Sequence, residues 1–328
     1  MKNHYPKAVF AGRAVEDNIF PLDDDPVTFD GRSGRKQEYI FAGGSCVNAA
    51  VAFGRLCRKA YRREGAFLYA PVGITSNKVN IDLSDNGVIL RDCRPDNDYE
   101  LPSNFSFVAK GGKRRLITDE IPRPDPHAER NLGLPKLAME RLPFDMGIAD
   151  VAMIDTRCPL VTTAVARAAK DASVPVVLDA GKWRTHLPTL IALSDIVIAS
   201  HEFAPNGQKA TPEEILDYLV SKNIQVAAVT RGEEDTLLYS PQGIIEIPVL
   251  KVPSKDTTAA GDIMHGAFCY FYAVSKDPAW SIEQANIIGS ESVRYFGPRE
   301  CFENINSVPT DEDYEALKVL GTVDYSPQ

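Results

Sequence analysis

Asp256 to Asp262 reads DTTAAGD, and an apolar helical segment begins near Ala260. The first N–H groups of a helix lack internal partners and point out of its N-terminus, where they suit an anion. Ala259, Ala260 and Gly261 carry too little side chain to hold a phosphate away from those donors, and Asp262 adds a carboxylate at the same spot. A phosphate repels a carboxylate, so the useful work of Asp262 there is to take a proton from a hydroxyl that attacks phosphorus. Phosphoryl transfer needs that combination. An ordinary helix start accounts for the same residues. An acid in the first turn gains about 0.3–1 kcal/mol from the helix dipole, and Asp256, Thr257 and Thr258 suit caps and turns. From this stretch alone both readings stand.

Other chemistries find little support. The five histidines are scattered with none paired at i, i+4, which argues against a zinc hydrolase, and the six cysteines (46, 57, 93, 158, 269 and 301) form no CxxC. Their irregular spacing suits reduced thiols in a cytoplasmic protein. Lys plus Arg number 36 against 45 for Asp plus Glu, and the net charge of −9 argues against a nucleic-acid backbone or an anionic membrane as partner. No apolar run approaches membrane-spanning length, and MKNHYPKAVF lacks the apolar core of a signal peptide. GxxxxGK[ST] is absent and no GxGxxG follows the first strand, which removes two common nucleotide-binding folds.

The elements that must position Asp262 follow from periodicity. Lys7 to Ala11 reads as a buried strand, Tyr39 to Phe41 as another, and Ser45 to Leu56 as a small-residue helix packed closely on a sheet after the Gly43–Gly44 turn. Ala66 to Val72 is strand-like, as is the start of the apolar run Ile244 to Val252. From Val151 the strands VAMID, VPVVLDA, IVIAS and VAAVT alternate with helices, one opening at Thr211, Pro212 and Glu214 as a capping box. Such alternation predicts an α/β fold, three-layered α/β/α, with a mostly parallel central sheet. Ligands of such sheets collect beyond the carboxyl ends of the strands. Asp155, Asp179, Ser200 and Thr230 fall there, although each alone reads equally as an ordinary polar strand end.

Two stretches depart from the alternation. Arg13 to Lys36 is polar and turn-rich, with an acidic run at Asp23 to Asp25 and Gly31, Ser33 and Gly34. Val88 to Ile121 carries a hairpin signal around Gly111 and Gly112, with three prolines from Ile121 to Pro126 as a stiff exit. Together they predict a single domain spanning 1–328 with a small β-sheet lid drawn from about 13–40 and 88–121. Its exposed sheet edge invites pairing of two copies. Arg114 and Arg115 read as exposed hairpin charge, and His265 as a packing residue.

Two motifs resemble the ribokinase-like carbohydrate kinases of the phosphofructokinase-B type, and the resemblance covers nearly the whole chain. DTTAAGD is similar to the family's C-terminal DTxGAGD, with Ala259 in place of the more frequent Gly. GGSCVNAA resembles its N-terminal sugar-contacting motif, about 210 residues earlier. The resemblance implies Asp262 as general base and the backbone from Ala259 to Asp262, through Ala260 and Gly261, as the cradle of the transferring phosphoryl group. It implies Asp17, Gly43, Gly44 and Asn48 for sugar hydroxyls. For the nucleotide it implies Thr230 and Gly232, in VTRGEED with Asp235 where a Gly is usual, and Asn286 near adenine. Asp256, with the region of Gly297, resembles a monovalent-cation (K+) site. SHEF, from Ser200 to Phe203, stands where the family often has NxxE, so Glu202 is one position away from the acid that organises Mg2+. VGITSN, Val72 to Asn77, likewise lacks the acid of the family's VGxD.

What the resemblance implies is ATP- and magnesium-dependent phosphorylation of a primary hydroxyl on a small ketose, pentose or sugar acid. DTRCP, resembling the DGRHP of some sugar kinases, and the altered NxxE favour a sugar over a nucleoside. A nucleoside kinase of the same fold remains an alternative, as does a non-catalytic sugar or nucleotide sensor.

Overall fold

Parallel pairing of short, fully apolar strands builds the body of the protein. The structure, a computed structural model, describes residues 4–22, 38–73, 77–94, 99–109, 114–118 and 136–320. Nine strands form one sheet in the order β13 (Gly243–Ile247), β12 (Glu234–Ser240), β11 (Val226–Arg231), β10 (Ile196–Ser200), β9 (Val176–Ala180), β8 (Val151–Ile154), β1 (Ala8–Ala11), β4 (Ala66–Ala70) and β5 (Val88–Asp92). All neighbours from β11 to β5 are parallel, while β12 and β13 close one end as an antiparallel meander. The central strands are buried along their whole length, as a sheet covered on both faces requires.

Eight helices matter for the site: α1 (Ser45–Tyr61), α2 (Asn77–Asp85), α3 (Lys136–Gly147), α4 (Pro159–Asp171), α5 (Leu187–Ala192), α6 (Pro212–Ser221), α7 (Ala260–Ser275) and α8 (Pro278–Ser292). One apolar cluster joins α1, α7 and α8 to one face of the sheet, and a second joins α3 to α6 to the other. The result is the three-layered arrangement expected. Thr211 caps α6 with Glu214 in the reciprocal capping box. Among the described residues no helix is long and apolar enough to cross a membrane.

The crossing of α1 over α7 fixes the distance between the two motif-bearing helices. A methyl group at Gly266 would collide with the backbone carbonyl of Ala49, which no side-chain rotation relieves. Gly266→Ala is therefore expected to lower stability by about 1–3 kcal/mol through overpacking, read as a fall in the urea midpoint. An unchanged midpoint would show that the crossing gives way freely.

The second sheet is small, in the order β3 (Tyr39–Gly43), β2 (Val15–Leu22), β6 (Ser103–Ala109) and β7 (Arg114–Thr118). β2 pairs antiparallel with β3 and parallel with β6, and β6 pairs antiparallel with β7. One boundary differs from the expected lid. Val88 to Asp92 belongs to the large sheet, as β5 parallel to β4, because its apolar residues complete that edge over Phe67 and Leu68. The hairpin glycines Gly111 and Gly112, the segment Asp23 to Gly34 and the prolines from Ile121 to Pro126 lie outside the described residues. A second difference is β13, which ends at Ile247 where the apolar run continues. Pro248 has no N–H for a ladder, so the chain leaves the sheet there and runs to the helix start at Ala259.

Candidate active site

The turn entering α7 is held from below by Asp256. This carboxylate is buried, 2% exposed. Its Oδ1 accepts hydrogen bonds from the N–H (2.9 Å) and hydroxyl (2.7 Å) of Thr258, and its Oδ2 accepts one from the N–H of Gly297 (2.9 Å). Three donors on one carboxylate make Asp256 the post that fixes the turn. Ala259 follows in the left-handed region, at φ 60°, and serves as N-cap with no side-chain hydrogen bond. An L-residue there costs roughly 1–2 kcal/mol relative to ordinary helical backbone. Ala260 N–H donates to the carbonyl of Thr257 at 3.3 Å. Gly261 and Asp262 have no carbonyl one turn back within the helix, so their N–H groups face outward from its N-terminus.

Asp262 is half-buried in the first turn of α7. Its Oδ2 accepts a 3.0 Å hydrogen bond from Asn48 Nδ2 of α1, which joins the two sequence motifs directly. Burial, and then the negative charge of Asp179, push its carboxyl up to about 6, against the lowering influence of Asn48, His265 and Ser45. Asp179 is 8% exposed near the end of β9. His265 lies between the two acids. Its Nδ1 is 2.8 Å from the carbonyl of Gly261, and its Nε2 is 3.5 Å from the carbonyl of Ile198 and 3.7 Å from Asp179 Oδ1. His265 thus ties the turn into α7 to the strand ends, a wider role than packing.

The other predicted sugar-side residues gather around the same place. A methyl at Gly43 would strike the Asp17 carboxylate, so the close approach of Asp17 to the β3 end requires glycine. Asp17 Oδ1 accepts from Asn104 Nδ2 of β6 at 2.8 Å. Gly44 is the N-cap of α1, and its carbonyl accepts from Asn48 N–H at 2.9 Å. The amide of Asn48 is more committed than expected: Oδ1 accepts from Arg299 Nη1 at 2.9 Å while Nδ2 serves Asp262. Asn48 therefore orients the Asp262 carboxylate.

Arg299 was not foreseen. Its guanidinium pairs with Asp82 of α2 (2.8 Å), donates to the carbonyl of Ala42 in β3 (2.6 Å) and lies over the Phe41 ring at 5.5 Å. The partners are 217 and 257 residues away in sequence. No local pattern could announce them.

On the nucleotide side, Ser200 and Thr230 are register partners at adjacent strand ends, β10 and β11. Ser200 Oγ accepts from Glu202 N–H at 3.1 Å, and Thr230 Oγ1 donates to the carbonyl of Ala199 at 3.3 Å. Gly232, at φ 71°, forms the exposed β11–β12 turn. Two further residues expected on this side have partners within the protein. Asn286 is 5% exposed, with Oδ1 accepting from Thr236 Oγ1 and Nδ2 donating to the carbonyls of Ile247 and Pro248. It straps α8 to the end of β13, and its polar atoms are occupied within the protein. Glu202 is exposed and its Oε2 is 3.2 Å from Lys182 Nζ.

The pfkB family carbohydrate kinase pattern matches residues 35–305. This chain belongs to that family. Among its relatives, this carbohydrate kinase is 24% identical over 305 residues to an ATP-dependent ribose-1-phosphate kinase of Halopiger xanaduensis, covering 90% of this chain and 94% of that protein. A ribokinase of Staphylococcus aureus is 29% identical over 168 residues, 48% of this chain and 55% of that one. Among solved structures, ribokinase from Giardia lamblia superposes with a TM-score of 0.75 at 16% identity, covering 97% of this chain and all of that one. Arabidopsis thaliana ribokinase complexed with ribose and ATP superposes at 0.66 and 17% identity, over 96% and 99% of the two chains. These likenesses confirm the ribokinase fold, with its large mostly parallel sheet and separate small one.

Proposed function

We propose that this carbohydrate kinase transfers the γ-phosphoryl group of ATP to a primary hydroxyl of a small sugar, with Asp262 as general base. The observation that carries the reading is the 3.0 Å contact between Asn48 and Asp262, which sets a carboxylate beside the outward-facing N–H groups of α7. In the reaction the sugar oxygen forms a bond to the γ-phosphorus while the bond to the β–γ bridging oxygen breaks. The hydroxyl proton passes to the Asp262 carboxylate, and ADP leaves with the bridging oxygen. Asp17 and the backbone at Gly43 and Gly44 are the groups nearest to hold sugar hydroxyls. Oriented backbone donors act on charge developing at the phosphoryl oxygens, and removing one such donor typically costs about 2.7–4 kcal/mol of transition-state stabilisation. The helix dipole alone, about 0.3–1 kcal/mol, is too weak to account for the step.

Among the described residues no group of three or more His, Cys, Asp or Glu side chains could hold a metal ion. In this reading Mg2+ arrives with ATP, since this ion is commonly bound by phosphate oxygens, waters and one or two carboxylates. The ion would neutralise charge on the phosphates.

An ADP-release assay across free and modified sugars tests the reading, and Gly261→Ala sharpens it. A methyl at Gly261 meets no protein atom within 4 Å, so folding should be unaffected or slightly favoured, since Ala exceeds Gly in helix propensity by about 1 kcal/mol. The methyl obstructs only what approaches the turn from outside. We expect kcat/KM for ATP to fall at least about tenfold, a cost near 1.4 kcal/mol, with an unchanged thermal midpoint. Unaltered ATP kinetics would remove the phosphoryl group from this turn.

A further inference from the structure

The turn that follows β8, Asp155 to Arg157, gathers three arginines from three separate parts of the chain. Arg13 N–H donates to Asp155 Oδ2 at 3.2 Å, Arg157 N–H donates to Asp155 Oδ1 at 2.7 Å, and Arg184 Nε donates to Thr156 Oγ1 at 3.3 Å. Apart from that last contact, no hydrogen bond or ion pair engages the three guanidinium groups among the described residues. Three arginines elsewhere are paired with a carboxylate, Arg91 with Asp145, Arg299 with Asp82 and Arg58 with Glu64. Burial, followed by the charge of Arg157, holds Arg13 and Arg184 below the usual arginine range. The carboxylate opposing them is Asp155, which burial pushes up to about 7, so near neutral pH it cancels less than one of the three positive charges. At the same turn α4 begins with Cys158 as N-cap, in the left-handed region and without a side-chain cap; Pro159 has no N–H, so the further donors at this end are the N–H groups of Leu160 and Val161.

The cluster borders the reaction site. A side chain at Gly44 would strike the Arg13 carbonyl, and the charge of Asp179 raises both Asp155 and Asp262. We propose that the acceptor is a sugar that already carries a phosphate group, held by Arg13, Arg157 and Arg184 while its free hydroxyl reaches Asp262. The inference rests on the kinase reading and names its substrate class; the product is then a sugar bisphosphate. Three guanidinium forks match a dianionic phosphate better than a single carboxylate, which separates sugar phosphates from sugar acids.

The test uses the whole chain with ribose 1-phosphate, ribose 5-phosphate, fructose 1-phosphate and fructose 6-phosphate as probes, against D-ribose, D-fructose and D-gluconate. ADP release and titration calorimetry are measured for each. We expect one phosphorylated probe to exceed its parent sugar at least about tenfold in kcat/KM, and Arg157→Gln, at an exposed position, to raise its KM by about tenfold or more with kcat little changed. Equal use of the free sugar, or gluconate surpassing every phosphate, overturns the proposal while leaving the kinase reading in place. If no probe is turned over, calorimetry still decides: affinity for a sugar phosphate that weakens in Arg157→Gln upholds the anion site and counts against the kinase reading, and absence of binding overturns the site.

Discussion

Asp262→Asn is expected to lower kcat by about two to four orders of magnitude, the usual contribution of a positioned general base. The substitution keeps shape and still offers an oxygen to Asn48 Nδ2, whose 3.0 Å bond fixes the side chain. It removes only the capacity to take a proton. Stability should hold or rise, because the folded protein disfavours the ionised carboxylate: burial and Asp179 raise its pKa from 3.8 to about 6. The sign runs as follows from that shift. Between pH 4 and 6 the folded state binds more protons at this site than the unfolded state does, so ionisation of Asp262 weakens folding as pH rises through that window. Catalysis depends on pH in the opposite sense. The base must be ionised, so kcat/KM of the wild type should climb tenfold per pH unit up to about pH 6 and then level. In the asparagine variant the residual activity should lose that acid limb. Turnover near the wild-type level, or an acid limb that persists unchanged in Asp262→Asn, would sink the assignment of Asp262 as base.

What could be read in the sequence was what depends on neighbours along the chain. The start of α7 at Ala260, the glycine turn into α1, the capping box at Thr211 and the alternation from Val151 all rest on residues within a few positions of each other. So did the two motifs, and the structure joins them through Asn48 and Asp262. The rest depended on pairings between distant segments. Strand-end position marked Asp155 and Asp179 as candidates, yet an isolated polar strand end carries no sign of its neighbours; only the fold sets Asp179 beside His265 and Asp155 among three arginines. Asn286 illustrates the converse. Its amide is an equally good strap for the end of β13, and nothing nearby in sequence reveals that Thr236 and the Ile247 carbonyl claim it. The lid boundary shifted because Val88 to Asp92 is apolar enough for either sheet, and the partner available at the edge, β4, decides.

Arg299→Met should be the most damaging change to the fold near the site. Arg299 and Asp82 form an ion pair with both side chains only 11% exposed, and Asp82 also accepts the Ala42 N–H at 2.9 Å while Arg299 holds the Ala42 carbonyl. The pair thereby fastens lid strand β3 to the body at the residue before Gly43. Truncating one partner leaves the other charge buried and uncompensated, which typically costs about 3–5 kcal/mol. The expected result is a corresponding loss in urea unfolding free energy. A companion variant separates structure from positioning. Replacing both partners, Asp82→Leu with Arg299→Met, removes the stranded charge, and buried pairs exchanged for apolar residues are often near neutral in stability. Stability should then recover substantially. Activity should not, because Asn48 Oδ1 loses the 2.9 Å bond from Arg299 Nη1, and the amide that orients Asp262 becomes free to turn. The distinguishing readout is kcat in the double variant: a value well below wild type alongside restored stability supports positioning of the base through Asn48. Recovery of kcat together with stability would instead make Arg299 a fastening of the lid alone.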